Sequence, residues 1–217
     1  MIMKQVILTF DDRVASQLEA VALLKEYGFG ATFYINRFEE KRPEAEERPL
    51  MTAAELRQLA GAGFELGNHS VNHPDFSTLD DAEIEREIDG MERMFAAAGL
   101  PKPVTFAYPG GPFCERAAAI LRQRGYLAAR TNEHRGYDPE TDSVMRIPAF
   151  PVANKYPGIF REAVAAGQEG RVIVLIYHGI PDAALHCSTA FAEFKMQMKY
   201  LKEEHYRVTG LAEFLRR

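Results

Sequence analysis

His69 and His73 stand four residues apart in the stretch Gly67-Asn68-His69-Ser70-Val71-Asn72-His73-Pro74. That spacing can present two imidazoles to one metal ion from one face of a helical turn. Taken alone, such a pair is ordinary loop chemistry. Three other stretches change its weight: Asp11-Asp12, Tyr108-Pro109-Gly110-Gly111 and His178-Gly179, each directly after a short apolar run. A catalytic zinc or similar ion needs about three protein ligands and an open position for water. His69, His73 and one carboxylate of the aspartate pair would supply the ligands, and the other carboxylate could take a proton from the activated water. His178 could return a proton to a leaving amine or alcohol. The glycine-rich turn offers unobstructed backbone N–H groups to a developing oxyanion. Together these parts describe metal-dependent hydrolysis of amides or esters.

Positioning them requires strands. Residues 5–10 form a β-rich apolar run that ends at Asp11, and residues 30–35, 64–67, 104–107, 126–130, 172–177 and 206–209 read the same way. Between them lie helical patterns. One covers 14–27, stopped by Gly28, and another opens on the capping box Thr52-Ala53-Ala54-Glu55 and stops at Gly63. Ile84, Ile88, Met91 and Phe95 mark a long helix, followed by helices over 113–124 and 159–166, one marked by Phe191, Phe194, Met198 and Leu201, and a final short one. The Glu-, Lys-, Arg- and Pro-rich stretch 36–50 reads as a solvated loop. Residues 131–157 are the least regular, with a short strand expected at 144–147. Strand and helix alternate throughout, the pattern of βαβ units around a parallel sheet, closed as a barrel or open and doubly wound. In both, active sites are built at the C-terminal edge of the strands. All four chemical stretches fall there.

With 217 residues, 47% hydrophobic and 26% charged, the chain is expected to form one domain over residues 1–217. A net charge of −5 and the lack of a basic run argue against nucleic acid or an anionic membrane as partner. Cys114 and Cys187 are too few for a disulfide framework or a cysteine zinc site, and a single bond between them is left open. The sequence begins without the pattern of a secretory signal and holds no membrane-length apolar run, so a cytoplasmic location is the expectation, though a trimmed secreted protein would read the same. Oligomeric state is not written in the sequence.

Thr9-Phe10-Asp11-Asp12, His69-Ser70-Val71-Asn72-His73-Pro74, Phe106-Ala107-Tyr108-Pro109-Gly110-Gly111 and Leu175-Ile176-Tyr177-His178, in that order, resemble the motifs of the polysaccharide deacetylases, the NodB-homology domains of carbohydrate esterase family four. The resemblance implies a distorted (β/α) barrel of about seven parallel strands and removal of an acetyl group from an N-acetylated sugar. It implies a divalent metal, zinc first, with cobalt, nickel or manganese as alternatives. It casts Asp11 as catalytic base, Asp12, His69 and His73 as metal ligands, and His178 as general acid. Tyr108, Pro109 and Gly110 would serve the substrate and oxyanion, Leu175 would line the pocket for the acetyl methyl, and Ser70 would steady the histidine loop from behind.

Three departures stand out. Arg13 occupies a position where the family often has glycine. Ala107 stands where many members carry an arginine that pairs with the base, leaving Arg130 or Arg146 to take over. An acidic-aromatic fourth block is missing, and the chain has no Trp. Tyr108 and Tyr177 read as packing or pocket-wall residues, His134 and His186 as loop residues, and His205 as a surface residue. Competing readings are an intracellular amidohydrolase acting on a small linear or cyclic amide, and a non-catalytic sugar-binding relative, which would typically have lost Asp11 or His178. A signalling receiver domain would need an aspartate where Asn68-His69 stand.

Overall fold

In the computed structural model, residues 4–38, 48–180 and 187–216 are described. Strand β1, Gln5–Phe10, is buried along almost its whole length and has neighbours on both edges. One edge pairs from Val6 to Phe10 with β7, Ile173–Tyr177. The other edge is shared. Its C-terminal part, Thr9 and Phe10, pairs with β2, Thr32–Ile35, while Gln5 to Ile7 pair with β8, Arg207–Thr209. From β2 the sheet continues through β3, Glu65–Asn68, β4, Thr105–Ala107, and β5, Ala128–Arg130, and beyond β7 lies β6, Phe150–Pro151. All these pairings are parallel. The seven-strand path curls until Arg130, at the end of β5, makes a single parallel bridge to Ile147, just ahead of β6. This is the distorted (β/α) barrel expected from the sequence, with β8 wedged in below β2.

The expected strand at 144–147 is not formed. Val144 is exposed and reaches β5 only through its carbonyl, which accepts the Ala129 N–H at 2.9 Å, while Ile147 makes the one bridge, with its N–H on Ala129 O. The ladder to β7 forms at Phe150 and Pro151 instead. Pro148 and Pro151 each remove a donor, which keeps this strand to two residues.

Helices cover the sheet: α1, Leu18–Tyr27, α2, Ala53–Gly61, α3, Asp81–Ala97, α4, Glu115–Gln123, α5, Ile159–Gln168, α6, Phe191–Glu203, and α7, Leu211–Leu215. The capping box at Thr52 and Glu55 is present in both directions. A second one, Asp80 with Glu83, opens α3. Phe10, stacked on Phe33 at 4.6 Å, packs outward with Tyr177 and Phe194 beneath α6. Burying side chains of this size contributes roughly 1.5–3 kcal/mol each. Ile84 and Ile88 of α3 and Leu121 of α4 cover Phe106 on the far side. Inside the barrel sit Ile7, Tyr34, Ala107, Ala128, Val174 and Ile176. Among the described residues no helix is long and apolar enough to cross a membrane. Both cysteines are free thiols, so the disulfide left open by the sequence is not formed.

Candidate active site

Side chains alternate faces along a strand, so the residues inside the barrel predict which ones reach its rim. Ile7 lies inside, which directs Thr9 and Asp11 inward as well. Tyr34 directs Asn36, Ala128 directs Arg130, and Ile176 directs His178. Gly67 lies against the Tyr34 ring, which sets His69 inward two residues later. The rim is therefore a ring of last inward positions from β1, β2, β3, β5 and β7.

The same alternation overturns the pocket role expected of Leu175. It faces outward with Leu8 and Phe10, and Ile176 lines the cleft. A one-residue step along a strand exchanges faces, and only Ile176 shares a face with His178.

His69 is the best-determined group. Its Nδ1 lies 2.8 Å from Ala107 O, and a carbonyl can only accept, so Nδ1 carries the proton. Its Nε2 is buried with no hydrogen-bond partner. That atom sits 3.6 Å from Asp12 Oδ1 and 3.8 Å from Asp11 Oδ2. Burial pushes the imidazole down to about 4, leaving it neutral at pH 7 with a lone pair on Nε2. His73 Nε2 is 3.7 Å from the same Asp12 oxygen. One ligand atom each from Asp12, His69 and His73 lie within 4.8 Å of one another. Tetrahedral ligands at ~2.1 Å from zinc are about 3.4 Å apart, so small side-chain shifts bring these atoms onto one cation. The orphaned, neutral Nε2 is the observation that makes the donor set fit a metal.

The loops behind these groups, after β1 and after β3, are tightly held. Asp12, Arg13, Ser70 and His73 all have left-handed backbones, with φ of 71°, 55°, 64° and 57°. Such conformations cost L-residues roughly 1–3 kcal/mol each and persist where contacts over-determine them. Arg13 stands at the position where glycine was expected, and its side chain is anchored by Nε donating to Met51 O at 2.6 Å. Ser70 is buried, and its Oγ accepts the His73 N–H at 3.0 Å. Glu87 of α3 accepts the N–H groups of Val71 and Asn72, each at 2.8 Å. Gly90 lets Val71 press on that helix, because a Cβ there would lie 2.4 Å from Val71 Cγ2.

Arg130, not Arg146, meets Asp11. Its Nη2 is 2.6 Å from both carboxylate oxygens, and its guanidinium lies over the Tyr34 ring at 5.2 Å. Arg146 points elsewhere, 2.7 Å from Glu133. Asn36, missed in the sequence, donates to Asp12 Oδ1 at 3.0 Å. Burial raises the Asp12 carboxyl, but His178, His69, His73 and Arg48 outweigh it and leave the group below the usual carboxylate range. His178 Nε2 stands 3.8 Å from Asp12 Oδ2, and burial draws its imidazole below the ordinary value despite both aspartates.

In the turn after β4, the Tyr108 N–H is committed to Arg130 O and the Gly111 N–H to Tyr108 O. Pro109 is buried, is not among the residues lining the cleft, and has no N–H to offer an oxyanion. Gly110 lines the cleft and carries the one turn N–H without a described backbone acceptor. Asn132 clamps it by donating to Gly110 O at 2.9 Å, and only glycine fits at 111, where a Cβ would lie 2.0 Å from Asn132 Cγ at φ 97°. Tyr108 lines the cleft with its hydroxyl donating to Met145 O at 3.1 Å, and burial pushes that hydroxyl up, as suits a wall residue. Tyr177 points outward and donates to Gln197. His134 packs its ring against Tyr156, outside the cleft, and His205 is exposed. His186 lies outside the described residues.

The cleft holds about 200 Å³. Besides Asp11, Asp12, His73, Arg130 and His178, its walls include Arg48, Lys155, Tyr156 and Cys187. Arg48 belongs to the stretch read from sequence as solvated charge. Nothing in its spacing marked it as a cleft residue.

The polysaccharide deacetylase family model matches residues 2–129. The chain belongs to that family. The match ends just before Arg130 and does not reach His178. Over 216 residues, 98% of this chain and 89% of the relative, it is 27% identical to the peptidoglycan-N-acetylglucosamine deacetylase of Bacillus cereus. It is 26% identical over 155 residues to an uncharacterized 30.6 kDa protein of Geobacillus stearothermophilus, aligning 65% of this chain but spanning only 55% of that relative's length. Among solved structures, a CE4 family pseudoenzyme from Bacillus anthracis superposes with a TM-score of 0.69 at 20% identity, covering 98% of this chain and 66% of that one. That likeness carries the fold.

Proposed function

We propose that this member of the polysaccharide deacetylase family is a metal-dependent hydrolase that removes N-acetyl groups from an N-acetylated sugar, alone or within a polysaccharide. The observation that carries the reading is the neutral, unpartnered His69 Nε2 facing Asp12 and His73, with Asp11 on one side and His178 on the other. Asp12, His69 and His73 would hold a divalent cation, zinc first. When bound, the cation supplies Lewis acidity that polarises an acyl carbonyl and makes a water easier to deprotonate.

The chain's own groups then divide the proton traffic. Asp11, held in orientation by Arg130, accepts the proton that a water loses as its oxygen bonds to the acyl carbon. The Gly110 N–H is the donor for the negative charge that develops on the acyl oxygen. His178, across the cleft, delivers a proton to the nitrogen as the C–N bond breaks, and acetate and a free amine leave. Ile176 offers the apolar wall an acetyl methyl needs, and Asn36 keeps Asp12 turned towards the two histidines.

The test is acetate release from N-acetylglucosamine oligomers, beside small linear and cyclic amides, with and without a strong chelator. The expected result is release from the sugars, lost with chelator and recovered with zinc or cobalt. Turnover of only the small amides would move the substrate class. Metal-loaded protein that binds the oligomers yet releases nothing from any N-acyl substrate would replace catalysis with sugar binding.

A further inference from the structure

Five formally charged side chains line the cleft: Asp11, Asp12, Arg48, Arg130 and Lys155. Three are basic and two acidic, in a chain whose overall net charge is −5. Asp11 is already neutralised by Arg130 at 2.6 Å, and Asp12 is the carboxylate proposed for the cation. Arg48 and Lys155 are left over. Neither has a carboxylate within ion-pair distance among the described residues, although Arg48 acts on Asp12 through space, and the buried Arg48 Nη1 has no hydrogen-bond acceptor among them. A buried guanidinium nitrogen without an acceptor costs about 1–3 kcal/mol, more because it is charged, so the group calls for an acceptor such as a ligand oxygen or a water. Lys155 lies over the Tyr156 ring at 5.0 Å, which holds its ammonium at the cleft mouth.

We infer that Arg48 and Lys155 form a subsite for an anionic substituent, carboxylate in the first place, carried by the substrate beside its scissile N-acyl group. The inference rests on reading the cleft as an acylated-sugar site and narrows the substrate class to acidic amino sugars. The two cations come from separate loops, Arg48 ahead of α2 and Lys155 between β6 and α5, so an anion spanning them is fixed from two directions. A bound divalent cation would add two further positive charges to the same cleft, so the field there favours an anion before any contact is made. Arg supplies a planar fork suited to a carboxylate, whereas Lys supplies a point charge.

The experiment is equilibrium binding to the full chain by calorimetry, using deacylated amino sugars so that no turnover intervenes. The matched set is the plain amino sugar, the same sugar bearing an ether-linked carboxylate, and the same sugar bearing a phosphate. The carboxylated sugar is expected to bind about tenfold tighter than the neutral one, a factor that shrinks as salt rises. Arg48→Gln and Lys155→Ala should each reduce that ratio, with unchanged melting temperatures excluding a folding defect. Tighter binding of the phosphate member than of the carboxylate would keep the anionic subsite and change its ligand. Equal affinities across the set, or a preference untouched by both substitutions, would overturn the inference. The hydrolase reading stands or falls separately, on acetate release from neutral oligomers.

Discussion

The loop carrying His69 and His73 and the wall opposite it, residues 131–157, hold their polar groups in different ways. In the loop, Ser70 and Asn68 are fully buried, Glu87 takes up two backbone N–H groups, and the left-handed residues are locked by contacts from two elements. In the wall, charges pair on the surface: Arg135 with Asp142 at 2.7 Å, Arg146 with Glu133 at 2.7 Å, and Arg171 with Asp138. Exposed pairs of this kind contribute little, because water and salt screen them. The contrast separates two jobs. Holding a cation needs donor atoms fixed within a few tenths of an ångström, whereas choosing a substrate needs only the right charges and walls at a cleft mouth. Buried hydrogen bonds suit the first job, and surface loops suit the second.

The comparison is broken most sharply at the proposed base and one proposed metal ligand. Asp11→Asn is expected to lower acetate release about 10²–10⁴-fold while metal content stays stoichiometric, whereas His69→Ala loses the metal itself. Metal analysis beside the rate assay separates them, and a His69→Ala protein with full metal content would sink the ligand assignment. Next in size is Arg130→Met, which leaves the Asp11 carboxylate buried without its partner. Loss of one member of a buried pair costs about 3–5 kcal/mol, read as a drop in the urea midpoint. An unchanged midpoint would mean that water reaches Asp11 freely.

Glu87→Gln tests whether the loop is held from behind. It weakens two backbone hydrogen bonds to a charged acceptor, an expected loss of about 1–3 kcal/mol. Metal affinity should fall with it by about tenfold, because groups that orient ligands carry that much. A stability loss with unchanged metal affinity would uncouple Glu87 from the centre.

The smallest effect belongs to the opposite wall. Asp142 accepts from Arg135 and from the Asp138 N–H, and these bonds hold its carboxyl below the ordinary aspartate value of 3.8. A carboxyl depressed in the folded state stabilises fully above the unfolded pKa, and that contribution is lost as pH falls through the folded value. Asp142→Asn should therefore lower stability by less than ~1 kcal/mol at pH 7, and by progressively less below about pH 3.8. Melting curves at pH 7 and pH 3 measure the difference. A larger loss at pH 3 would reverse the sign and discard the linkage.

Legibility in the sequence followed the same division. Strand ends at Asp11, His69 and His178 could be read because apolar runs stop abruptly at residues with metal or proton chemistry. The capping box at Thr52 and the stripe from Ile84 to Phe95 were legible for the same local reason. The short strand was expected at 144–147 and lies at Phe150–Pro151, since two-residue strands leave no periodicity to count. Leu175 was assigned to the wrong face, although the alternation leading to His178 already selected Ile176. Asn36 could have been found by counting inward from Thr32 and Tyr34. Arg48 could not, because a lone arginine in a charged stretch carries no signal of direction.

By itself, the sequence determined the order of strands and helices, the family resemblance, and the residue types gathered at one rim, all of which rest on local pattern and on spacing along the chain. Only the tertiary structure decided that Arg130 takes the place of the absent arginine at Ala107, with both Asp11 oxygens 2.6 Å away across the barrel. That pairing joins residues 119 positions apart. It depends on how far the sheet curls before Arg130 comes beside Ile147, just ahead of β6, and no local pattern encodes that curvature.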